Sequence, residues 1–412
     1  MTSPATVKKK ALDGIRVLDF TWVAAGPTAT KLLSANGAQV IKLESQRRVD
    51  IVRVQEPKTG DASSVNSSLY FNNLNTDKYS ILLDLNTSKG LALAKRLVRI
   101  SDVVVTNFSP NAIDKWGLDY ESLAKIKEDI IVIHMPVMGM TGPKRSYAGA
   151  GGGIKALAGL NTMMGFKGSI PVGPQGTYPD FGLNPCHCII ACLSALHYHS
   201  KTGRGQFVDL SQYESVLHAT GTAILDYTAN DRLPTLLGNG HLQMAPHGAY
   251  RCRGDDRWIA IAVRNDEEWW AFCEVAKQPQ WSKDPRFSTV RLRVENVKAL
   301  DGLVDRWTIG KIAEEVTLEL QAAGISAYVV QTVEDLFEKD EQMSFREHYV
   351  WVDHPEIGKV PVDSPAFRFS TLSTRPERSA PCMGEHNDLI FHDILGMSLD
   401  EINALIVEEV LY

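Results

Sequence analysis

The strongest constraint on the fold lies in the first half of the chain, where short and almost wholly apolar runs alternate with helical patterns. GIRVLDFT (14–21) is strand-like and bounded by Gly26-Pro27; TATKLLSANGA (28–38) reads as a helix closed by Gly37, and QVIKLE (39–44) as the next strand. The alternation continues through YSILLDL (79–85), the helix SKGLALAKRLVRIS (88–101), DVVVTNF (102–108), the helical YESLAKIK (120–127) and DIIVIHM (129–135). Within 88–101, Leu91, Ala94, Leu97 and Val98 share one face at helical spacing. Strands this uniformly apolar have no solvent face. They predict an α/β fold with a parallel sheet covered by helices on both sides. A long helix is expected from Asn184 to Lys201 with Ile189, Ile190, Leu193 and Leu196 inward, and KTGRGQFVDLSQ (201–212) ends in another strand. The pattern then changes near residue 225. A smaller lobe is expected to about residue 330, with a strand at 258–263 and helices around 266–276 and 311–323. A tail without its own core follows, with proline-punctuated extended chain in HPEIGKVPVDSPAFRFS and a last helix at 399–410. No internal repeat is visible.

At 412 residues, two lobes are the natural division, and 44% hydrophobic with 22% charged residues is enough to build large cores. The formal net charge is −6 and no block of five like charges occurs, which argues against nucleic acid as a partner. Six cysteines in so long a chain do not form a disulfide framework. The start, MTSPATVKKKALDG, has no apolar stretch behind its lysines, and no apolar run reaches the roughly 18 residues a spanning helix needs. The expectation is a cytoplasmic enzyme with no membrane partner.

GTYPDFGLNPCHC (176–188) poses the functional question, because three chemistries can be read into it. The kinase Asp-Phe-Gly motif fails on context: no Gly-rich loop, strand lysine or His-Arg-Asp loop lies upstream. A metal site fails on geometry. Cys186, His187 and Cys188 fall within a helix, where neighbours point about 100° apart and cannot converge on one ion. The cysteines read as small core fillers, and His197 and His199 as partners of the helix C-terminus. Asp180 remains, either as a helix cap or turn former or as a reactive carboxylate. Spacing leaves both open.

Six segments widen the view: DGIRVLDFTWVAAGPTATKLLSANGAQVIKLE (13–44), NNLNTDKYSILLDLN (72–86), VVTNFSPNAIDKWGLDYESL (104–123), KTGRGQFVDLSQYES (201–215), SKDPRF (282–287) and GEHN (384–387). Together and in this order they resemble the family III coenzyme A transferases, the group of formyl-CoA:oxalate and carnitine CoA-transferases and alpha-methylacyl-CoA racemases. The resemblance implies a Rossmann-like large domain (1–224), a small α+β domain (225–330) and a C-terminal segment (331–412) returning to the large domain. It also implies an interlocked dimer, either a homodimer or a heteromer with a homologous subunit. It implies no permanently bound cofactor and no metal, with coenzyme A or acyl-CoA as substrate and a small carboxylic acid as acceptor. G-x-G-x-x-G is missing after the first strand, and GAGGG (149–153) does not supply it, so a nicotinamide cofactor is not indicated.

By the same resemblance, Asp180 is the nucleophile, and the loop GNGH (238–241) offers Gly238 and Gly240 N–H groups to the oxyanion. CoA contacts fall on Val23, Ala24, Ala25, Lys42, Arg47 with Arg48, Leu74, Asn75, Lys78, Asn107, Phe108 and Lys115. Two departures stand out: Ala24 replaces a glutamine of the oxalate enzymes, and Thr76 replaces an arginine. The departure at Ala24 and the shortness of the 238–241 loop argue against oxalate and for another acceptor, with Trp22, Tyr178 and Phe181 as an apolar wall and His241, His247 or Arg264 as partners for a second carboxylate. Succinyl-CoA is the expected donor and an aromatic dicarboxylate of the benzylsuccinate type a candidate acceptor. The alternatives are a racemase-like isomerase and a non-catalytic CoA-binding subunit. A racemase needs an acid/base pair astride an enolate, yet Ala150 and Gly151 stand where its histidine and neighbour would be.

Overall fold

A computed structural model describes residues 10–174 and 176–412. The apolar runs of the first half become strands, each followed by one or more helices. In chain order these are β1 (Arg16–Asp19), α1 (Ala25–Ala35), β2 (Gln39–Glu44), α2 (Leu69–Leu74), β3 (Tyr79–Leu82), α3 (Ser88–Arg99), β4 (Val103–Thr106), α4 (Pro110–Trp116), α5 (Tyr120–Ala124) and β5 (Ile131–His134). After these come α6 (Gly151–Leu157), α7 (Tyr178–Phe181), α8 (Leu183–Thr202), β6 (Gln206–Asp209) and α9 (Gln212–Leu217). The six strands form one sheet in the order β3-β2-β1-β4-β5-β6, and every neighbouring pair is parallel. This is the doubly wound order, which reverses direction between β1 and β4.

The side-chain period of two divides the strands between two cores. Val17, Val40, Val103, Val105, Ile131 and Ile133 face Ala25, Ala29 and Leu33 of α1 and Cys188 and Cys192 of α8. Leu18, Ile41, Val104 and Val132 face Leu93 and Leu97 of α3, together with Ile390, Phe391 and Ile402 from the end of the chain. Each such side chain, wholly removed from water, contributes roughly 1.5–3 kcal/mol. α3 starts where Thr87 Oγ1 accepts the Gly90 N–H at 3.0 Å, an ordinary N-cap.

α8 spans the residues expected, and Ile189 and Leu196 pack against the sheet core as expected, but Ile190 and Leu193 do not. Asn184, Cys188, Cys192 and Ala195 are buried, whereas Ile190 and Leu193 are 64% and 43% exposed. Its apolar residues are scattered around the helix, so periodicity did not single out the whole face that meets the sheet. The small residues went inward because they let α8 lie close against it. Cys188 and Cys192 thus serve as fillers, and burial pushes the Cys192 thiol up to about 12. Cys186 is exposed, and none of the six cysteines is paired.

The chain divides into two compact units. The first takes the described residues up to 161, 174–233 and 344–412; the second takes 162–173 and 234–343. In the first unit, the tail read as extended chain forms an antiparallel hairpin, Tyr349–His354 with Gly358–Asp363. Val350, Val352, Val360 and Val362 share its buried face, and Pro361 is tolerated because a two-stranded ribbon is all edge. The second unit has a three-stranded antiparallel sheet of His247–Arg251, Trp258–Ala262 and Ser326–Val329. Its core gathers Trp269, Phe272, Phe287, Ile259, Leu300 and Leu320.

Candidate active site

A buried ionic network holds the loop after β1. At the strand end, Asp19 accepts from the Thr21 N–H (2.8 Å) and Oγ1 (2.6 Å), from Thr30 Oγ1 (2.6 Å) and from Lys78 Nζ (3.2 Å). Burial alone would raise Asp19, but Lys78, Lys42 and the two hydroxyls outweigh it and hold the carboxyl below its ordinary range. Four residues beyond Asp19, Val23 has φ +65°, a backbone region that a β-branched residue rarely enters. Its N–H donates to Asp50 Oδ1 at 3.1 Å, and the side-chain amide of Asn107 pairs with the backbone of Trp22, accepting at 2.9 Å and donating at 2.8 Å. The strained turn is therefore fixed from two sides. It ends at Ala24, where α1 starts with no side-chain cap, and Gly26 lies so near Thr21 that a Cβ there would be 2.3 Å from Thr21 Cβ. Ala24 and Ala25, at this end of α1, line the space in front of the helix.

That space is a cavity of about 530 Å³ along the carboxyl ends of the strands. Trp22–Ala25 line it after β1, Ser45, Arg47 and Arg48 after β2, Asp84 and Asn86 after β3, Asn107–Pro110 after β4, and Pro136 and Val137 after β5. Ligands of doubly wound sheets bind at this edge, next to the reversal in strand order. An aromatic cluster stands at the reversal. Trp22 meets Phe108 edge-on at 5.2 Å, Phe108 meets Trp116 at 5.2 Å, and the Arg48 guanidinium lies 5.3 Å from the Trp22 ring centre. Nearby, Lys115 Nζ donates to Asn86 Oδ1 at 3.0 Å, and Arg47 pairs with Asp84 at 3.2 Å and with Glu409.

Asp180 lines the same cavity although only 3% of it is exposed. It sits in the single turn α7, which α8 follows after a break at Gly182. Asn184, four residues on, reaches back so that its Nδ2 donates to Asp180 Oδ1 at 3.0 Å. Oδ2 accepts the Gly151 N–H at 3.1 Å. Position 151 has no room for a side chain: a Cβ would be 2.5 Å from Asp180 Oδ2. Burial raises the Asp180 carboxyl, and the bonds from Asn184 and Gly151 oppose it without cancelling it. The result is a desolvated carboxylate, two donors deep, open to a cavity that fits a large ligand.

The structure brings Asp180, Val23, Ala24, Ala25, Arg47, Arg48, Asn107, Phe108 and Lys115 to this one cavity. It does not bring Lys42, Leu74, Asn75 or Lys78 there, and for these four the expected direct contact is corrected. Lys42 is wholly buried, donating to Thr21 O (2.7 Å) and Asp50 (3.2 Å). Lys78 is buried against Asp19, Thr30 and Asn75, and burial pulls it down to about 8 even with Asp19 beside it. Asn75 also donates to Phe71 O, and Leu74 lies 2% exposed in the interior. A lysine in the sequence announces a charge but not its burial; here both ammonium groups shape the loop instead of meeting a phosphate.

Gly238 and Gly240 belong to the second unit. Gly238 has φ +59° and its N–H donates to Gly165 O at 2.8 Å, while Gly240 N–H donates to Leu237 O at 3.0 Å. In this arrangement both N–H groups are engaged, so the expected oxyanion donors are not presented. His247 Nδ1 lies 2.6 Å from Asn239 O, and Arg264 is held by Glu268. Tyr178 and Phe181, on the turn that carries Asp180, are 53% and 46% exposed. Sequence reasoning missed Asp50, which pins the strained turn, and the buried polar residues behind Asp180. No signal short of the fold marks them. Among the described residues no group of three or more His, Cys, Asp or Glu side chains could hold a metal ion, and no helix is long and apolar enough to cross a membrane.

The model of the CoA-transferase family III matches residues 12–387. The chain belongs to that family. As a family III CoA-transferase it is a transferase acting on CoA thioesters, and its relatives share nearly its whole length. It is 30% identical over 402 residues to the succinyl-CoA–D-citramalate CoA-transferase of Chloroflexus aurantiacus, covering 98% of each chain. It is 28% identical to the mouse succinyl-CoA:glutarate CoA-transferase, covering 98% of this chain and 90% of the relative. The formyl-CoA:oxalate CoA-transferase of Streptomyces coelicolor is 30% identical, with 96% and 98% covered. Among solved structures, a CAIB/BAIF family protein from Brucella suis superposes with TM-score 0.85 at 29% identity, over 94% of this chain and all of that one.

Proposed function

We propose that this family III enzyme moves coenzyme A from an acyl-CoA donor to a carboxylic acid through covalent intermediates on Asp180. The observation that carries the reading is the position of that carboxylate, desolvated, raised by burial and facing the cavity at the carboxyl edge of the sheet. An Asp180 oxygen attacks the thioester carbonyl, the C–S bond breaks, and CoA leaves as thiolate; the enzyme then carries a mixed anhydride. The thiolate attacks the aspartyl carbonyl, releasing the donor acid as carboxylate and leaving an aspartyl-CoA thioester. The acceptor carboxylate repeats both steps in reverse order, ending with a new acyl-CoA and free Asp180. Every intermediate stays activated, so one difficult exchange becomes several easier ones. Anhydrides and thioesters hydrolyse readily, and burial of Asp180 limits the water that reaches them.

CoA is assigned to the strand-edge cavity. Its phosphates meet Arg47, Arg48, Lys115 and the uncapped start of α1, and its adenine meets the Trp22–Phe108 cluster. Two relatives named as succinyl-CoA transferases support succinyl-CoA as donor. Trp22 and the departure at Ala24 favour an acceptor bulkier than oxalate, with an aromatic dicarboxylate as the first to try. Turnover is measured by mass spectrometry across a matrix of acyl-CoA donors and acids. Hydroxylamine added during turnover should convert Asp180 to its hydroxamate only when acyl-CoA is present. In Asp180→Ala, CoA binding should persist while transfer falls by at least about a thousandfold, the scale for losing a covalent nucleophile. An unmodified Asp180 with a fully active alanine variant would leave another nucleophile as the reading, and a parent chain that binds CoA without turnover would leave the CoA-binding subunit.

A further inference from the structure

Behind Asp180 runs a chain of buried side-chain amides whose direction is set by the backbone. Asn184, Gln212 and Ser215 are 0%, 5% and 3% exposed. Gln212 Nε2 donates to the carbonyl of Met135 at 2.6 Å, directly after β5. A carbonyl can only accept, so Gln212 must point its amide nitrogen at Met135 and its Oε1 inward. There Oε1 accepts from Asn184 Nδ2 at 3.3 Å, which fixes the Asn184 amide with its N–H₂ toward Asp180 Oδ1 at 3.0 Å. Ser215 Oγ lies against Asn184 Oδ1 and 2.9 Å from Gln212 O, with one hydrogen to give to either oxygen. Flipping either amide would set two acceptors face to face in a dry interior.

We infer that Asn184 is a positioning residue for the transfer reaction, oriented by Gln212 and flanked by Ser215, so that a donor always faces Asp180 Oδ1. The inference rests on the proposed role of Asp180. Its effect is twofold. The donor locks the carboxylate rotamer, leaving the remaining lone pairs for the substrate carbon, and it favours the ionised, nucleophilic form over the protonated one that burial would impose. Gly151 N–H does the same for Oδ2, but it is backbone and needs no orienting. The other titratable group facing Asp180 is Tyr70 of α2. Burial and the charges of Asp180 and Asp50 keep its hydroxyl above the ordinary tyrosine range, so it stays neutral.

The test uses the full-length enzyme and the donor–acceptor pair with the highest turnover. Asn184→Leu, of similar size and without a donor, should lower kcat on the order of 10–100-fold with little change in donor KM. The acid limb of its kcat profile should move to higher pH. Ser215→Ala, which removes one hydroxyl, should shift the same limb in the same direction by less, and it decides the matter if Asn184→Leu fails to fold. Titration of the Asp180 carboxylate by isotope-edited infrared spectroscopy supplies a readout independent of turnover. A raised titration point in the variants supports the inference; variants that lose only thermal stability, with kcat and titration unchanged, overturn it. Failure of the nucleophile reading looks different, since Asp180→Ala would then remain active whatever happens at position 184.

Discussion

Asp180 meets two opposing demands. The proposed chemistry asks for a charged, poorly hydrated carboxylate, while the fold pays for burying it. Because burial raises its folded pKa above that of the unfolded chain, the group favours the folded state at low pH, and that contribution is lost as pH rises through the raised value. Asp180→Asn has no charge to bury. The difference in melting temperature between this variant and the parent, followed by circular dichroism, should therefore move in the variant's favour as pH climbs through the carboxylate range. A difference independent of pH would mean the carboxylate is not desolvated. The sequence made Asp180 visible through the family resemblance, since Pro179 and Phe181-Gly182 around it left cap and nucleophile both open; its surroundings depend on Gly151 and Gln212, which only the fold brings near. Lys42 and Lys78 show the converse. Their side chains suggest phosphate contacts, whereas each is spent on a carboxylate in the interior.

At the scale of elements, the parallel sheet was legible because strands buried on both faces cannot hide their composition, and five of its six strands are buried almost throughout, whereas β6 alternates. The loops at the carboxyl ends were not, since their shape comes from ion pairs between residues far apart in sequence. Asp19 and Lys78 are 59 positions apart. Lys78→Met would take the ion-pair partner from a wholly buried Asp19, leaving it the hydroxyls of Thr21 and Thr30 and the more distant charge of Lys42. The expected cost is about 3–5 kcal/mol, seen as a lower denaturation midpoint. A second readout follows from the geometry: CoA binding should weaken as well, since Lys78 also holds Thr30 and Pro27 O in α1, the helix whose start faces the cavity. A variant with parental stability would show that Asp19 is protonated or hydrated in place. α8 was legible as a helix but only half by its inward face, because its apolar residues are scattered around it and leave no single stripe to read.

For the whole molecule, the proposed assembly is a dimer, and the first unit displays a surface suited to one. The helix Gly221–Asn230 has no buried residue, yet Ile224, Leu225 and Tyr227 are 48%, 67% and 50% exposed, and Ile190 and Leu193 add to the apolar surface. Light scattering should give twice the mass of one chain at micromolar concentration, and charged substitutions at Leu225 and Tyr227 should shift that mass downward. A monomeric parent would remove the proposal. The change of pattern read near residue 225 falls within the first unit, which runs on to Leu233, and nothing local marks 162–173 as part of the second.

The way the last stretch of chain packs has a consequence for biosynthesis. Ile390, Phe391 and Ile402 cover the sheet face that Leu18, Ile41, Val104 and Val132 present, yet they are translated some 260 residues after Val132. At about 5–20 residues per second, the ribosome needs roughly 13–50 s to supply that cover. Until then the nascent sheet carries an open greasy side, which makes it a client for holding chaperones, and a message truncated near its end would yield a sticky product rather than a slightly shorter enzyme.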